Sequence, residues 1–256
     1  RCYPMKNRNP DVMPYDQYRV VLLGGKDDYI NATYVGDLVP SCPKLITTQA
    51  PLPATMADFW QMVYEQNVEV VVMLCHEQES GKHKIHSYWP TEKGNALQHG
   101  LLTINLQSIR QKQFWTERII QMNHKETRKS RTVVHLQFLQ WPPSGSPGSP
   151  AQLIAFINEV HSFYTQQRSL LRPVVVHCSD GVGRTGSFSV IYACVQDIDQ
   201  GNGIPDIPKL IWNLRNKQKM MINDKEQLRF TYECILYHCQ DILFRRGILT
   251  NKATFS

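Results

Sequence analysis

The segment Val174-Val175-Val176-His177-Cys178-Ser179-Asp180-Gly181-Val182-Gly183-Arg184-Thr185-Gly186 restricts the fold more than any other part of the chain. Its valines make an apolar strand, its glycines a tight turn, and from Arg184 to Asp197 the pattern is that of a helix. A strand that feeds a helix through a Gly-rich turn belongs to an α/β architecture. The same turn has a chemical use. Successive backbone N–H groups point inward, and the positive helix end adds to them, so Ser179, Asp180, Gly181, Val182 and Gly183 can cradle a tetrahedral dianion. Arg184 can clamp two of its oxygens in the plane of the guanidinium. Cys178, at the bottom of that positive nest, is favoured as a thiolate. Thr185 can hydrogen-bond the sulfur, and His177 can hold the loop. A lone cysteine is ordinarily an inert buried thiol, and Cys75, Cys194 and Cys234 are read that way. A cysteine and an arginine spaced across a Gly-rich turn set Cys178 apart.

With 256 residues, 42% hydrophobic and 20% charged, the chain can bury a substantial core as one large domain. It opens on Arg1 without a charged n-region ahead of an apolar stretch, and reads as a fragment of a longer protein with no signal peptide. The most apolar runs, Val68 to Cys75 and Val190 to Val195, fall far short of the roughly 20 residues that span a bilayer, so no membrane insertion is expected. The 7 cysteines (Cys2, Cys42, Cys75, Cys178, Cys194, Cys234 and Cys239) are odd in number, scattered and never in a CxxC pair. That speaks against a disulfide framework or a zinc site and for a reducing, cytoplasmic compartment. The net charge of +6 gathers partly at Lys125 to Arg131 and at Arg215, Lys217 and Lys219. Such clusters can meet acidic partners, although a solvated face is their commoner use. No nucleic-acid partner, cofactor or metal ion is expected.

Extended segments rich in β-branched and aromatic residues occur at Arg19 to Leu22, Tyr29 to Val35 and Leu45 to Gln49. Met56, Phe59, Trp60 and Val63 then recur at helical spacing, with Thr55 placed as a cap, ahead of a buried strand Val68 to Leu74. Lys84 to Trp89, Leu101 to Gln107, Arg118 to Asn123 and Thr132 to Trp141 read as further strands. The run from Pro142 to Pro150 contains only Pro, Gly and Ser, like an interdomain linker. Its shortness, and the amphipathic helix Gln152 to Gln167 directly behind it, favour an ordered loop inside one domain. A strand at Pro173 to His177 leads into the cysteine turn. The chain closes with helices at Pro208 to Lys219 and Lys225 to Arg245, the latter capped by Asp224 with Leu228, Tyr232, Ile235, Cys239 and Ile242 on one face. One domain over residues 1–246 and a frayed tail over 247–256 are expected, with the C-terminal third helical.

The cysteine turn resembles the signature of class I protein tyrosine phosphatases. The likeness extends to Lys6-Asn7-Arg8, Asp27-Asp28-Tyr29-Ile30-Asn31-Ala32, Thr48-Gln49-Ala50-Pro51, Phe59-Trp60, Tyr88-Trp89-Pro90, Trp141-Pro142 and Gln227-Leu228-Arg229-Phe230. Within the family, Pro14-Tyr15-Asp16-Gln17 and Gly201-Asn202-Gly203-Ile204-Pro205 most resemble a cytoplasmic, non-receptor type that carries a Bro1 domain. The resemblance implies a twisted mixed β-sheet flanked by helices. It also implies a Bro1 domain and a Pro-rich region upstream, an endosome-associated location, and scaffold partners in endosomal sorting. The reaction it implies is attack of the thiolate on phosphorus, while an aspartic acid protonates the departing tyrosine oxygen and later activates water.

Four positions depart from that pattern. Where the family has the general acid, after Trp-Pro, stands Pro143, and no Asp or Glu occurs from Thr127 through Asn158. Such an acid is generally worth about 10² to 10⁴-fold. Glu77 and Glu79 match the stretch whose expected role is to orient Arg184; either is also a candidate surrogate acid. Asp180 replaces a small neutral residue in the turn. A carboxylate about 5 Å from a phosphate costs roughly 3 kcal/mol per charge pair at an effective dielectric near 20. Asn9, followed by Pro10, stands where a Tyr stacks on the substrate ring, whereas Asp11, matching the residue that holds substrate backbone, remains. Asn223 stands for the first water-positioning Gln, and Gln227 matches the second. Lys84 matches the lysine that pairs with the absent acid.

Cys178, Arg184 and Thr185 therefore stand while acid, cradle, ring stacking and water positioning are altered. The expected function is that of a pseudophosphatase: an inactive or severely impaired module serving as a scaffold, or as a binder of a phosphotyrosine protein or other anionic ligand. The alternative is a slow cysteine-dependent phosphotyrosine phosphatase working through a phosphocysteine intermediate. Phosphoinositide hydrolysis is disfavoured, because Asp180 makes the turn less cationic. A monomer is expected.

Overall fold

The runs Leu45-Ile46-Thr47-Thr48-Gln49, Val70-Val71-Val72-Met73 and Val174-Val175-Val176-His177-Cys178 are continuously apolar or β-branched over most of their length, as strands covered on both faces should be. In the computed structural model these runs lie at the middle of a nine-stranded mixed sheet. Residues 3–24, 27–79 and 83–251 are described, with the side chains of His83 and Lys84 outside that description. The strands are β1 (Arg19–Val21), β2 (Tyr29–Val35), β3 (Leu45–Gln49), β4 (Val70–Met73), β5 (Gln78–Glu79), β6 (His83–Lys84), β7 (Leu97–His99), β8 (Leu102–Gln111), β9 (Trp115–His124), β10 (Ser130–Phe138) and β11 (Val174–Cys178). The main sheet has the order β1-β2-β3-β11-β4-β10-β9-β8-β7, and β5 pairs with β6 alone. The four central strands β3, β11, β4 and β10 are parallel; the flanking pairs are antiparallel.

Helices cover both faces. Val70, Val72 and Leu74 pack with α2 (Pro150–Thr165), α3 (Gly183–Asp199), α4 (Ile207–Lys217) and α5 (Lys225–Arg245), whereas Val71, Met73 and Cys75 pack with α1 (Met56–Glu65). This alternation along one strand is the period of two that a pleated sheet imposes. The expected α/β class, the mixed twisted sheet and the helical C-terminal third are all present. The Pro/Gly/Ser run is an ordered loop: Trp141 Nε1 donates to the Gly145 carbonyl at 3.3 Å, and Pro147 is buried.

Several local expectations are corrected. No strand spans Lys84 to Trp89; β6 ends at Lys84, and the chain leaves the ladder to bury Ile85, Tyr88 and Trp89. Trp60 Nε1 donates to the Tyr88 carbonyl at 2.8 Å, which occupies a group a ladder would have used. Thr55 does not cap α1 with its side chain, because its Oγ1 turns back to accept from Leu52 N at 2.9 Å. Asp224 does cap α5, accepting from Glu226 N at 2.9 Å. The buried face of α5 is Phe230, Thr231, Cys234, Ile235 and His238, and Leu228 and Tyr232 face solvent. Phe230 sets that orientation by meeting Trp141 edge-on, with ring centroids 5.9 Å apart. Of the expected frayed tail, the start is a helix cap: Gly247 has φ +71°, and the Ile248 N–H donates to the Leu243 carbonyl at 2.9 Å. Residues 252–256 lie outside the described residues. The second basic cluster is partly structural. Lys217 is buried against Asp37 and Asn213, and Arg215 donates to the carbonyls of Met221 and Ile222 at 2.9 and 2.7 Å.

Candidate active site

Cys178 is the last residue of β11 and α3 begins at Gly183, so the cysteine turn sits at the carboxyl ends of the parallel strands, where open α/β sheets place ligands. Two backbone bonds fix its entry: Leu74 N donates to the His177 carbonyl and Ala50 N to the Ser179 carbonyl, both at 2.9 Å. Gly181 has φ +78°, and a Cβ there would stand 2.5 Å from the Thr48 carbonyl carbon and oxygen. Neither the backbone angle nor the space admits another residue. A Cβ at Gly183 would meet Gln227 Oε1 at 2.7 Å. The turn is thus pressed between β3 and the first turn of α5. Val182 is buried, and its carbonyl accepts from Gly186 N at 3.0 Å and from Ile222 N at 3.2 Å, tying the turn to the segment that leads to Asn223.

Arg184 is buried and held in a bidentate pair with Glu79: Nη2 donates to Oε2 at 2.7 Å, Nη1 donates to Oε1, and Nη1 also reaches the Leu74 carbonyl at 3.2 Å. Burial alone would lower its pKa. The hydrogen bonds it donates to Glu79 and the charges of Cys178 and Cys75 outweigh burial and raise it. Glu79 therefore orients Arg184 as expected, and being spent in that pair it makes a poor surrogate acid. Glu77 is exposed and accepts from Ser87 Oγ at 3.0 Å. A second guanidinium, Arg8, is fixed by the carbonyls of Ala50 (2.6 Å) and Pro51 (2.9 Å), and burial lowers its pKa against the opposing charges of Cys75, Asp180 and Glu79. Asp180 is half-buried. Cys75 is wholly buried, and burial pushes its thiol well above the ordinary range.

A buried relay that sequence reasoning did not anticipate backs the cysteine. The Cys178 carbonyl can only accept, so the hydrogen lies on His177 Nδ1, 3.0 Å away. Burial pushes the His177 pKa down to about 4 despite that bond, so at neutral pH its Nε2 is a bare acceptor for the Tyr88 hydroxyl at 2.6 Å. Tyr88 then accepts from His135 Nε2 at 2.8 Å. His135 is also held neutral by burial, and its Nδ1 accepts from Arg118 Nη1 at 3.4 Å. Acceptor at one end and donor at the other give every link one direction. Tyr88 belongs to the Tyr88-Trp89-Pro90 motif, whose pattern gives it no role of its own. His135 shares a strand face with Val133 and Gln137, and that pattern assigns it no partner.

The other expected site residues distribute unevenly. The buried Thr185 Oγ1 makes no hydrogen bond, so the bond to Cys178 Sγ is not formed; an unpaired buried hydroxyl is costly, and it remains an available donor within the site. Gln227 Oε1 is likewise buried and unpaired against Gly183, whereas Asn223 is exposed. Pro143 is exposed beyond Trp141 and offers no acid. Asn9 is occupied by its own turn, its Oδ1 accepting from Asp11 N at 3.0 Å. Asp11 is exposed on the rim of a hollow it shares with Pro10, Tyr15 and Lys219. The side chain of Lys84 lies outside the described residues.

A Cys-x5-Arg turn at the end of a central parallel strand, with its arginine clamped by a buried glutamate, defines a class: the chain belongs to the protein-tyrosine phosphatase family, whose sequence model matches residues 3–237. Tyrosine-protein phosphatase non-receptor type 23 of Homo sapiens is 50% identical over 248 residues, 97% of this chain and 15% of that protein. The Mus musculus protein of the same name is 50% identical over the same shares. Tyrosine-protein phosphatase non-receptor type 20 of Mus musculus is 38% identical over 239 residues, 93% of this chain and 54% of that protein. The chain thus spans about 15% of the length of its type 23 relatives. Among the described residues no helix is long and apolar enough to cross a membrane.

Proposed function

We propose that this domain holds phosphorylated ligands in its cysteine turn and hydrolyses phosphotyrosine very slowly or not at all. The observation that carries the reading is a contrast within one site. Arg184 is pre-oriented by Glu79 beside Cys178, which is what binding a phosphate requires. The loop after Trp141 carries an exposed Pro143 at the position where the family resemblance puts the general acid. A tyrosinate leaving group has a pKa near 10 and departs poorly without a proton. Asp180 adds a charge that opposes both phosphate and thiolate. The slow-enzyme reading draws on the standing Cys178, Arg184 and Glu79. A role as a cytoplasmic, endosome-associated scaffold in endosomal sorting rests on the resemblance of residues 14–17 and 201–205 to the Bro1-bearing type.

One assay separates binder from slow enzyme. Turnover of an activated aryl phosphate is measured beside a phosphotyrosine peptide, with the Cys178→Ser protein as blank. The activated ester needs no acid, so turnover of it alone places the defect at Pro143. Silence on both, with retained binding of tungstate, supports the binder. Turnover of the peptide well above the blank would overturn the proposal in favour of the enzyme.

A further inference from the structure

We infer that the pole of the domain opposite the cysteine turn docks on an anionic lipid surface, with Leu170 and Leu171 as an apolar tip and the cations of neighbouring turns around it. Strand register brings these parts together. Val70, near the start of β4, pairs with Val174 on one side and Val134 on the other, so the turn entering β11 and the β9–β10 turn project from the same end of the sheet. Cys178 lies at the far end of β11.

Leu170 and Leu171 occupy the corners of a turn closed by Arg172 N donating to the Ser169 carbonyl at 3.3 Å. Turn corners ordinarily carry Gly, Pro, Asn, Asp or Ser. Here the two leucines are 52% and 76% exposed. Their backbone is not loose: Tyr164 Oη donates to the Leu170 carbonyl at 2.6 Å, and Val174 N donates to the Lys44 carbonyl at 2.9 Å. The fold thus holds two large apolar side chains out in water. The β9–β10 turn makes a parallel choice. Arg128 takes φ +53°, which Gly or Asn adopts at less cost, and stands exposed with Lys125 and Lys129. Lys44 and Arg168 are exposed on the same pole, and Arg168 borders a hollow of about 260 Å³ with Arg131. Of the nearby carboxylates, Glu69 is paired to Arg172, Asp37 to Lys217, and Glu126 is exposed.

Both turns carry residues that turn chemistry does not ask for, and such local departures mark function. Together they make an apolar tip within a cationic surround, the pattern of a surface that meets anionic lipid. Leu171 stands as a ridge between two hollows, one bordered by Tyr34 and Pro173 and the other by Val39 and Tyr164. A projecting ridge suits a soft headgroup layer better than an acidic peptide, which would need a groove.

The test is co-sedimentation of the chain with vesicles of phosphatidylcholine alone or with one-third phosphatidylserine. Binding is expected only with the anionic lipid and should weaken with salt. Replacing both leucines (Leu170→Ser with Leu171→Ser) should weaken it at least about tenfold. Reversing two cations (Arg128→Glu with Lys129→Glu) should weaken it at least about twentyfold, and Glu126→Lys should strengthen it about fivefold. The gain in the last variant cannot arise from misfolding. Equal or absent binding to both vesicles would overturn the proposal. So would binding that ignores the leucines, which would mark a polyanion patch, or binding lost in Cys178→Ser, which would assign the lipid to the cysteine turn. A dimer in sedimentation velocity that the leucine changes dissociate would give the tip to a second copy of the chain, and the proposal would fail.

Discussion

On the proposed function, Pro143 and Asp180 would act on opposite ends of one displacement: the first would leave the departing oxygen unprotonated, the second would burden the attacked phosphate and the thiolate. Pro143→Asp combined with Asp180→Ala should therefore give nearly additive gains, although residues of one site often couple. Taking about 3 kcal/mol for each, phosphotyrosine peptide turnover should rise at least about a thousandfold over the parent. A folded double variant that does not exceed its own Cys178→Ser blank would place the lesion elsewhere, Asn223 being the first suspect. Asn9→Tyr, added to that variant, should lower KM more than it raises kcat, since ring stacking stabilises ground state and transition state alike. The gain is limited by loss of the Asn9 side-chain bond that closes the Asp11 turn. Legibility at this scale tracked chemistry. Cys178, Arg184 and Glu79 could be read because spacing and motif announce them. Tyr88, His135 and Arg118 could not, because their roles arise from contacts across 17, 47 and 89 positions of chain.

At the scale of elements, β4 and β11 were readable because a strand covered on both faces has few other uses for consecutive Val, and β2 and β3 because β-branched and aromatic residues crowd them. The stretch Lys84 to Trp89 looks equally strand-like, but burial of Tyr88 and Trp89 outweighs ladder bonding, and no local pattern reveals that. Helix α5 shows the same limit. Two apolar stripes run along it, and only the position of Trp141 selects the one containing Phe230. The cysteine turn is the opposite case, since its glycines are dictated locally. Gly181→Ala should place a methyl 2.5 Å from the Thr48 carbonyl in a positive-φ backbone. The expected cost is at least about 2 kcal/mol of stability together with loss of tungstate binding. Gly145→Ala, also at positive φ but with nothing within 4 Å, should cost about 1 kcal/mol and leave anion binding intact. Urea unfolding beside isothermal titration distinguishes the two; equal anion affinity in both variants would contradict the proposed fit of the turn against β3.

For the whole molecule, the His135–Tyr88–His177 relay links the fold's pH tolerance to the cysteine turn. Both histidines are wholly buried and neutral, His177 with a pKa pushed from 6.5 to about 4 by burial and His135 well below its ordinary value for the same reason. In the unfolded chain both rings take up protons as pH falls through 6.5, whereas the folded chain cannot until far lower. The unfolded state then binds more protons, so stability is undiminished above about pH 6.5 and falls as pH drops from there toward 4. His177 alone removes about 3 kcal/mol across that window, and each such ring contributes a slope of about 1.4 kcal/mol per pH unit in its middle. His135→Gln keeps an N–H donor for Tyr88 but cannot titrate. It should therefore lower the pH slope of unfolding free energy between pH 6 and 4.5 by up to about 1.4 kcal/mol per pH unit, leaving the shares of His177 and of His99 and His161, whose pKa values burial also lowers, with little change at pH 7.5. His177→Asn, which preserves a donor to the Cys178 carbonyl, should do the same. Urea titrations at several pH values give the slope directly. If His135→Gln leaves it unchanged, His135 is not held neutral in the folded chain, and the single direction assigned to the bonds between Arg118 and Cys178 fails with it.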